Sequence, residues 1–141
     1  MSLAEQWAAA WSDHDVDGLA ALFASDCEYE DVAFNVVNAR REGVRSWANG
    51  FLAAFPDLAV SPGRSFERGD RGVLEWEMSG THRGEFDGIA PTGRRFRVRG
   101  ATVFEYSDGE IIRCADYWNL GDVKSQLGED ERPNGPSQPT A

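Results

Sequence analysis

Three ionisable side chains fall on strand faces that are otherwise apolar: Asp31, His82 and Asp116. In the segment CEYED, strand alternation places Asp31 on the same face as Cys27 and Tyr29. A carboxylate in apolar surroundings resists ionisation, so we expect the pKa of such an aspartate to rise from about 3.9 toward neutrality. A group that titrates near working pH can act as a general acid or base. The pattern therefore indicates a proton-transfer site.

Each of the three residues also fits a structural role. Asp116 is compatible with a buried acid that is hydrogen-bonded to the backbone or to Tyr117. Asp31 stands at the end of its strand, where a turn or cap residue is equally expected. His82 is next to a loop, where a histidine more often supports structure than catalysis. A titration or an activity measurement is needed to choose between these roles.

The stretch from Ala101 to Leu120 positions Asp116, and it reads as two strands joined by a tight turn at Ser107-Asp108-Gly109. We expect a three-residue loop with Gly109 in the left-handed conformation, which pairs Tyr106 with Glu110. In this register Asp116 is the single carboxylate on an apolar face. That face carries Phe96, Val98, Gly100, Thr102, Phe104, Ile112, Cys114 and Trp118, and the other carries Arg95, Arg97, Arg99, Glu105 and Arg113. A two-residue turn would mix the two faces.

The remaining elements define the fold class. Apolar residues at helical spacing predict a first helix capped by Ser2, a second near Leu19 and a third from about Arg41 to Phe55. Alternating strands follow, and a short helix is expected around Asp122 to Leu127. Helices first and strands afterwards predict an α+β domain whose helices cover one face of a curved antiparallel sheet. Bulky aromatic residues together with isolated ionisable groups on the sheet indicate a deep apolar pocket.

Composition limits the partners that we expect. The 141 residues fit one domain over residues 1–128, followed by a disordered tail over residues 129–141, which lack large apolar side chains. The formal net charge of −10 argues against nucleic acid and acidic membranes as partners. No signal peptide and no membrane span is recognisable, and two distant cysteines suggest free thiols in the cytoplasm. The two histidines are not spaced as metal ligands, so no metal or cofactor is expected.

Several short segments are together similar to a known family: YEDVAF, FPDL, GTHRGEFDGIAPTGRRF, FEYSDGEI and DYWNL. Their order and spacing resemble the SnoaL-like polyketide cyclases, within the nuclear transport factor 2-like superfamily, over almost the whole stretch from Trp7 to Gly128. The resemblance implies a cone-shaped α+β barrel with a deep apolar cavity. It also implies a homodimer formed through the outer face of the sheet.

The resemblance suggests roles for two aspartates. In SnoaL-like cyclases, the aspartate that matches Asp116 is the general acid/base of a cofactor-free intramolecular aldol closure. Limonene epoxide hydrolase has an aspartate there that activates water, and ketosteroid isomerase places its base at the position of Asp31. Three departures limit the transfer. Thr102 replaces a histidine of the cyclase and an acid of the isomerase, Trp7 replaces a tyrosine of the isomerase, and LEWEM lacks the arginine of the hydrolase.

We therefore predict a cofactor-independent enzyme of secondary metabolism that cyclises an apolar, oxygenated, polyketide-like molecule. Asp116 shuttles the proton in this hypothesis, with Asp31 and His82 as further candidates. Substrate contacts are expected from Tyr29, Asn35, Thr102 and Asn119 by hydrogen bonding, and from Trp7, Trp76, Phe104 and Trp118 in the wall. Epoxide opening by the same aspartate is the alternative reaction, and a non-catalytic small-molecule binding protein is the alternative class.

Overall fold

The computed structural model describes residues 1–128, and the predicted tail at 129–141 lies outside the described residues. Helices precede most of the strands, as the sequence pattern predicts. The helices are α1 (Leu3–Ser12), α2 (Val16–Ala21), α3 (Arg40–Ala54) and α4 (Leu120–Gln126). The strands are β1 (Phe23–Asp31), β2 (Val36–Ala39), β3 (Ala59–Arg68), β4 (Arg71–Thr81), β5 (Arg95–Ser107) and β6 (Glu110–Trp118). The fold class is therefore α+β, as expected.

The six strands form one curved, open sheet in the order β2-β1-β6-β5-β4-β3. Every neighbouring pair is antiparallel except β1 and β6, which run parallel, so the sheet is not purely antiparallel. A parallel pair requires a long connection between its strands, and here the chain between β1 and β6 provides it. This pairing aligns Asp31 with Asp116. The two carboxyl groups that the sequence singles out therefore lie on adjacent strands at the same level.

The turn of the β5–β6 hairpin differs from the predicted one. Ser107 pairs with Glu110, so the turn contains two residues, Asp108 and Gly109, with φ values of 51° and 76°. Two consecutive residues with positive φ are typical of the hairpin turns whose twist matches that of the flanking strands. The predicted three-residue loop, with Tyr106 opposite Glu110, is therefore wrong.

A β-bulge next to this turn restores the predicted faces. Beyond Tyr106, the extra residue Ile112 interrupts the ladder and shifts the register by one residue. Ile111 is buried while Ile112 is 36% exposed, so the predicted inward orientation of Ile112 is wrong. Beyond the bulge, Phe104 pairs with Cys114 on β6, and every second residue of both strands again points to the same inner face. As a result, Thr102 lies directly opposite Asp116.

The helices cover the inner face of the sheet, and nearby polar side chains cap α1 and α2. Ser2 and Glu5 form a reciprocal capping box at α1, and the Asp15 carboxylate accepts the Gly18 N–H at α2. Trp7 and Trp11 lie on the buried stripe of α1, one helical turn apart. In residues 1–128, no helix has the length and apolarity required to cross a membrane.

Candidate active site

Asp116 is the centre of a buried hydrogen-bond network on the inner face of the sheet. Its side chain is on β6 and only 6% exposed. The hydroxyl of Thr102, on β5, donates to Asp116 Oδ1 at 2.7 Å. The hydroxyl of Tyr29, on β1, donates to Asp116 Oδ2 at 2.8 Å. Both carboxyl oxygens therefore accept a hydrogen bond from a neighbouring strand.

Two indole groups hold these hydroxyls in place. Trp11 Nε1, from α1, donates to the Tyr29 hydroxyl oxygen at 3.2 Å. Trp76 Nε1, from β4, donates to Thr102 Oγ1 at 2.8 Å. Gly100 makes room for this second indole, because a Cβ atom at residue 100 would clash with the Trp76 ring. Two short donor chains, each from an indole through a hydroxyl, thus end on the same carboxyl group.

Asp31 is the second buried carboxyl group, with 1% of its side chain exposed. Trp118 Nε1 donates to Asp31 Oδ2 at 2.8 Å, and the backbone N–H of Phe34 donates to Oδ1 at 2.9 Å. Because the parallel pairing aligns Asp31 with Asp116, a charge on one carboxyl group disfavours ionisation of the other.

The surroundings of Asp116 shift its titration toward neutral pH. The pKa of Asp116 is raised to about 7, chiefly by burial and in addition by the charge of Asp31. The hydrogen bonds from Thr102 and Tyr29 stabilise the carboxylate and oppose the rise in pKa. Burial also raises the pKa of Asp31, against the hydrogen bonds from Trp118 and the backbone. Asp116 is thus able to exchange a proton near neutral pH.

Both carboxyl groups face a cavity with aromatic walls. The lining residues are Trp7, Trp11, Tyr29, Asp31, Trp47, Phe51, Val60, Trp76, Met78, Asp116 and Trp118. All five tryptophans of the chain belong to this set. The set contains no arginine, lysine or histidine among the described residues, so no cation of the wall offsets a charge on the two acids.

The inner cavity is narrow and adjoins a wider outer pocket. The space open to the centre of a water molecule is about 20 Å³ inside, which is enough for about one water, against about 230 Å³ in the outer pocket. The outer pocket is bordered by Phe34, Asn38, Ser46, Trp47, Gly50, Phe51, Glu85, Phe86 and Asp87. Trp47 and Phe51 line both spaces and separate them.

Most of the predicted site residues come together in the structure. Tyr29, Asp31, Asp116 and the predicted wall residues Trp7, Trp76 and Trp118 all line the inner cavity. Thr102 is fully buried and contacts the cavity only through Asp116 and Trp76. Phe104 is buried behind the wall, where its ring packs edge-on against Trp7 at 5.5 Å.

Three predicted site residues lie elsewhere. His82 does not line the cavity; its Nδ1 accepts the Thr92 N–H at 3.2 Å, and its ring packs beside Phe55. Asn35 is exposed in a tight turn with a φ of 57°. The Asn119 side chain accepts the backbone N–H of Asp122 and so caps α4. Each of these residues belongs to a loop or a helix end away from the cavity, and the fold brings none of them to Asp116.

Trp11, Trp47 and Phe51 line the cavity, and none of them is among the predicted site residues, although Trp47 is a candidate for a cavity wall. The available signal was helical spacing: Trp11 is four residues after Trp7, and Phe51 is four residues after Trp47. Such a stripe is common in helices that simply pack on a sheet. It becomes a cavity wall here because both helices cover the same inner face.

Trp7 adds an unpaired donor to this wall. Its Nε1 is buried and has no hydrogen-bond partner among the described residues. Buried donors are usually paired, since an unpaired one costs about 1–3 kcal/mol. The second such atom in the described part of the chain, His82 Nε2, does not belong to the cavity.

An open, curved sheet with buried carboxyl groups on its inner face defines a cone-shaped pocket protein with a ketosteroid isomerase-like fold. The chain belongs to the SnoaL-like polyketide cyclase family, whose model matches residues 2–127.

Solved structures agree with this fold. A protein of Catenulispora acidiphila with a ketosteroid isomerase-like fold, in complex with trimethylamine, is 28% identical, with a TM-score of 0.80 over 89% of this chain and 92% of that one. AclR of Streptomyces galilaeus, a candidate hydroxylase, is 26% identical, with a TM-score of 0.78 over 90% and 93%. IdmH of Streptomyces antibioticus, a candidate polyketide cyclase, is 24% identical, with a TM-score of 0.77 over 89% and 96%. No curated protein sequence is significantly similar to the chain.

Proposed function

We propose that this protein is a cofactor-independent acid/base enzyme that closes a ring in a polyketide-like substrate of secondary metabolism by an intramolecular aldol reaction. The observation that carries the proposal is the buried Asp116 carboxyl group, which lines an aromatic cavity and has a pKa of about 7. A general acid or base works best when its pKa is near the operating pH.

The reaction needs one group that first takes and then returns a proton. Ionised Asp116 removes a proton from the carbon beside a substrate carbonyl. The resulting enolate carbon attacks a second carbonyl carbon of the same molecule, so one carbon–carbon bond forms and the attacked oxygen becomes an alkoxide. Protonated Asp116 then gives its proton to that alkoxide. The product is an isomer of the substrate, and no oxidant or reductant is required.

The other polar groups of the cavity suit an oxygenated substrate. The unpaired N–H of Trp7 is available to a carbonyl oxygen, which would satisfy a donor that is otherwise buried without a partner. Asp31, when ionised, favours the protonated form of Asp116, the form that returns the proton to the alkoxide. The remaining wall is aromatic or aliphatic and favours the apolar body of the molecule.

Asp116→Asn tests the proposal directly. A linear diketone is incubated with the protein in D₂O, and proton NMR follows both ring closure and deuterium exchange beside the carbonyls. We expect both rates to fall by about 10²–10⁴-fold in this variant, which is the usual contribution of a positioned proton-transfer group. The exposed Asp26 provides the control, as Asp26→Asn should retain the wild-type rates. Equal rates in wild type and Asp116→Asn would place the chemistry elsewhere.

Epoxide opening is the second candidate, because Asp31 and Asp116 lie in register beside a space that holds about one water. In this reaction one carboxylate takes a proton from water, while the other carboxyl group protonates the epoxide oxygen. Incubation with a cyclic epoxide in isotopically labelled water distinguishes the two reactions. Label in a diol product supports epoxide opening. Ligand binding without turnover of either probe would indicate a non-catalytic binding protein.

We further propose that the protein is a homodimer formed through the outer face of its sheet. Cross-strand pairing aligns Phe66, Val73, Val103 and Ala115 in one apolar row across that face. Phe66 is 72% exposed, and covering it would remove apolar surface from water. Light scattering after size-exclusion chromatography should show a dimer that Phe66→Glu converts to a monomer. Val37→Glu, on exposed edge strand β2, is the control, and a monomeric wild type would contradict the proposal.

A further inference from the structure

We infer that Trp11 and Trp76 are positioning residues for Asp116, because their indole N–H groups dictate where the Tyr29 and Thr102 hydroxyls point their protons. The catalytic meaning of this inference rests on the proposed function. Its physical content, the direction of four hydrogen bonds, does not depend on any substrate.

The indole group of Trp11 sets the direction of the first donor chain. An indole nitrogen can only donate a hydrogen bond, so the Tyr29 oxygen must accept from Trp11. The hydrogen of a phenol lies close to the ring plane, which leaves two positions for hydrogen bonding at the oxygen. Trp11 takes one of them, so the Tyr29 O–H must point to the other. The acceptor there is Asp116 Oδ2, at 2.8 Å.

The second chain runs through Thr102. Its Oγ1 accepts from Trp76 Nε1 at 2.8 Å, and Asp116 Oδ1, at 2.7 Å, is the acceptor that the hydroxyl reaches among the described residues, so the hydroxyl proton is directed there. Pairing across β4, β5 and β6 fixes these positions: Gly100 is opposite Trp76 and Thr102 is opposite Asp116. The direction of both donor chains is therefore set by the pairing of the strands and by two indole N–H groups, which cannot accept a hydrogen bond.

The consequence concerns the proton of Asp116 itself. Both of its oxygens receive a hydrogen bond whether the carboxyl group is neutral or ionised. Neither hydroxyl can accept the carboxyl proton without reversing its own bond. The proton therefore occupies one of the remaining lone pairs of a side chain that lines the cavity. Because the donors keep their orientation during proton transfer, they stabilise the carboxylate without reorganisation.

Trp11→Phe separates this role from simple packing. Without the indole N–H, the Tyr29 hydroxyl can rotate and accept the proton of neutral Asp116. This change stabilises the acid form, while the ionised carboxylate keeps the Tyr29 hydrogen bond, so the pKa of Asp116 should rise above about 7. One hydrogen bond gained by the acid form corresponds to about half to one pKa unit. If Trp11 only filled space, the smaller ring would admit water, solvate the carboxylate and lower this pKa.

The wall offers a matched control. Trp47 lines the same cavity but donates to neither Tyr29 nor Thr102 among the described residues. Trp47→Phe therefore removes a similar volume without touching either donor chain. The charge of Asp31 acts on Asp116, and the charge of Asp116 in turn raises the pKa of Tyr29 and of Cys114; none of these groups is altered by the tryptophan substitutions.

The test is a carbon NMR titration of labelled aspartate carboxyl groups in the wild type and in the Trp11→Phe, Trp76→Phe and Trp47→Phe variants. Asp116→Asn assigns the signal, and near-ultraviolet circular dichroism checks that each variant is folded. We expect a raised pKa of Asp116 in the first two variants and no rise in Trp47→Phe. In a Tyr29→Phe background, Trp11→Phe should have no further effect, since the hydroxyl that it orients is gone.

An unchanged or lowered pKa of Asp116 in folded Trp11→Phe or Trp76→Phe would overturn the inference for that indole. Should one variant fail to fold, the other still tests the mechanism, and the Tyr29→Phe double-variant comparison tests the Trp11 chain in a second way. The titration uses no substrate. A raised pKa together with a protein that closes no ring would therefore refute the proposed function while leaving the inference intact.

Discussion

Replacing Asp116 by asparagine should change how the free energy of unfolding depends on pH. In the folded protein burial raises the pKa of Asp116 from 3.8 to about 7. The folded state therefore holds a proton that the unfolded chain releases between these two values. Stability consequently falls as the pH rises through this window, and the full cost is present above it. Below about pH 4 the group is protonated in both states and contributes nothing to the pH dependence.

The size of the effect follows from the shift. The interval from 3.8 to about 7, at about 1.4 kcal/mol per pKa unit, corresponds to about 4 kcal/mol. Asparagine does not titrate and avoids this cost. It brings a smaller cost of its own, since its amide nitrogen cannot accept the hydrogen bond that Tyr29 or Thr102 donates. An unpaired buried group costs about 1–3 kcal/mol at every pH.

The two effects have opposite signs, so the stability curves should cross. At about pH 4, Asp116→Asn should be less stable than the wild type by about 1–3 kcal/mol. At about pH 8 it should be the more stable protein, by a similar amount. Urea unfolding followed by tryptophan fluorescence measures both curves, with Asp26→Asn as the exposed control. A difference between wild type and Asp116→Asn that stays constant over this range would refute the raised pKa and the reasoning built on it.

Two further predictions concern residues that support the site or lie away from it. Gly100→Ala should push the Trp76 ring away from Thr102 and destabilise the fold by about 1–3 kcal/mol. Thermal unfolding measures this loss. An unchanged melting temperature would contradict the close contact between residue 100 and the Trp76 ring. His82→Phe should cost at most about 0.5–1.5 kcal/mol, because the exposed Thr92 loses one hydrogen bond while the unpaired buried His82 Nε2 is removed. Ring closure should stay at the wild-type rate, and a folded variant with greatly reduced kcat would return His82 to the catalytic candidates.

Local alternation was sufficient to find the two buried acids. The pattern of apolar residues in β1 and β6 placed Asp31 and Asp116 on inner faces, and both are buried in the structure. In the β5–β6 hairpin, the predicted inner face of Asp116 is correct although the predicted turn length is wrong. The turn is one residue shorter than predicted, but Ile112 adds a compensating bulge, so the parity of the faces survives.

Long-range pairing could not be predicted from the same pattern. Nothing local in β1 indicates that it runs parallel to β6 and aligns Asp31 with Asp116. The indole partners of Tyr29 and Thr102 depend likewise on how α1 packs on the sheet and on the register of β4 with β5. Asn119 is predicted as a substrate contact, and in the structure its side chain satisfies the open N–H at the start of α4, which is a common use of asparagine.

The most direct test of the account is the pKa of Asp116 in the wild-type protein, measured by carbon NMR and compared with the pH dependence of ring closure on the diketone probe. We expect a carboxyl group that titrates near pH 7 and a rate that rises with pH through the same value, because the ionised form removes the proton. An ordinary pKa near 4, or a rate that follows a different titration, would contradict the assignment of Asp116 as the acid/base group.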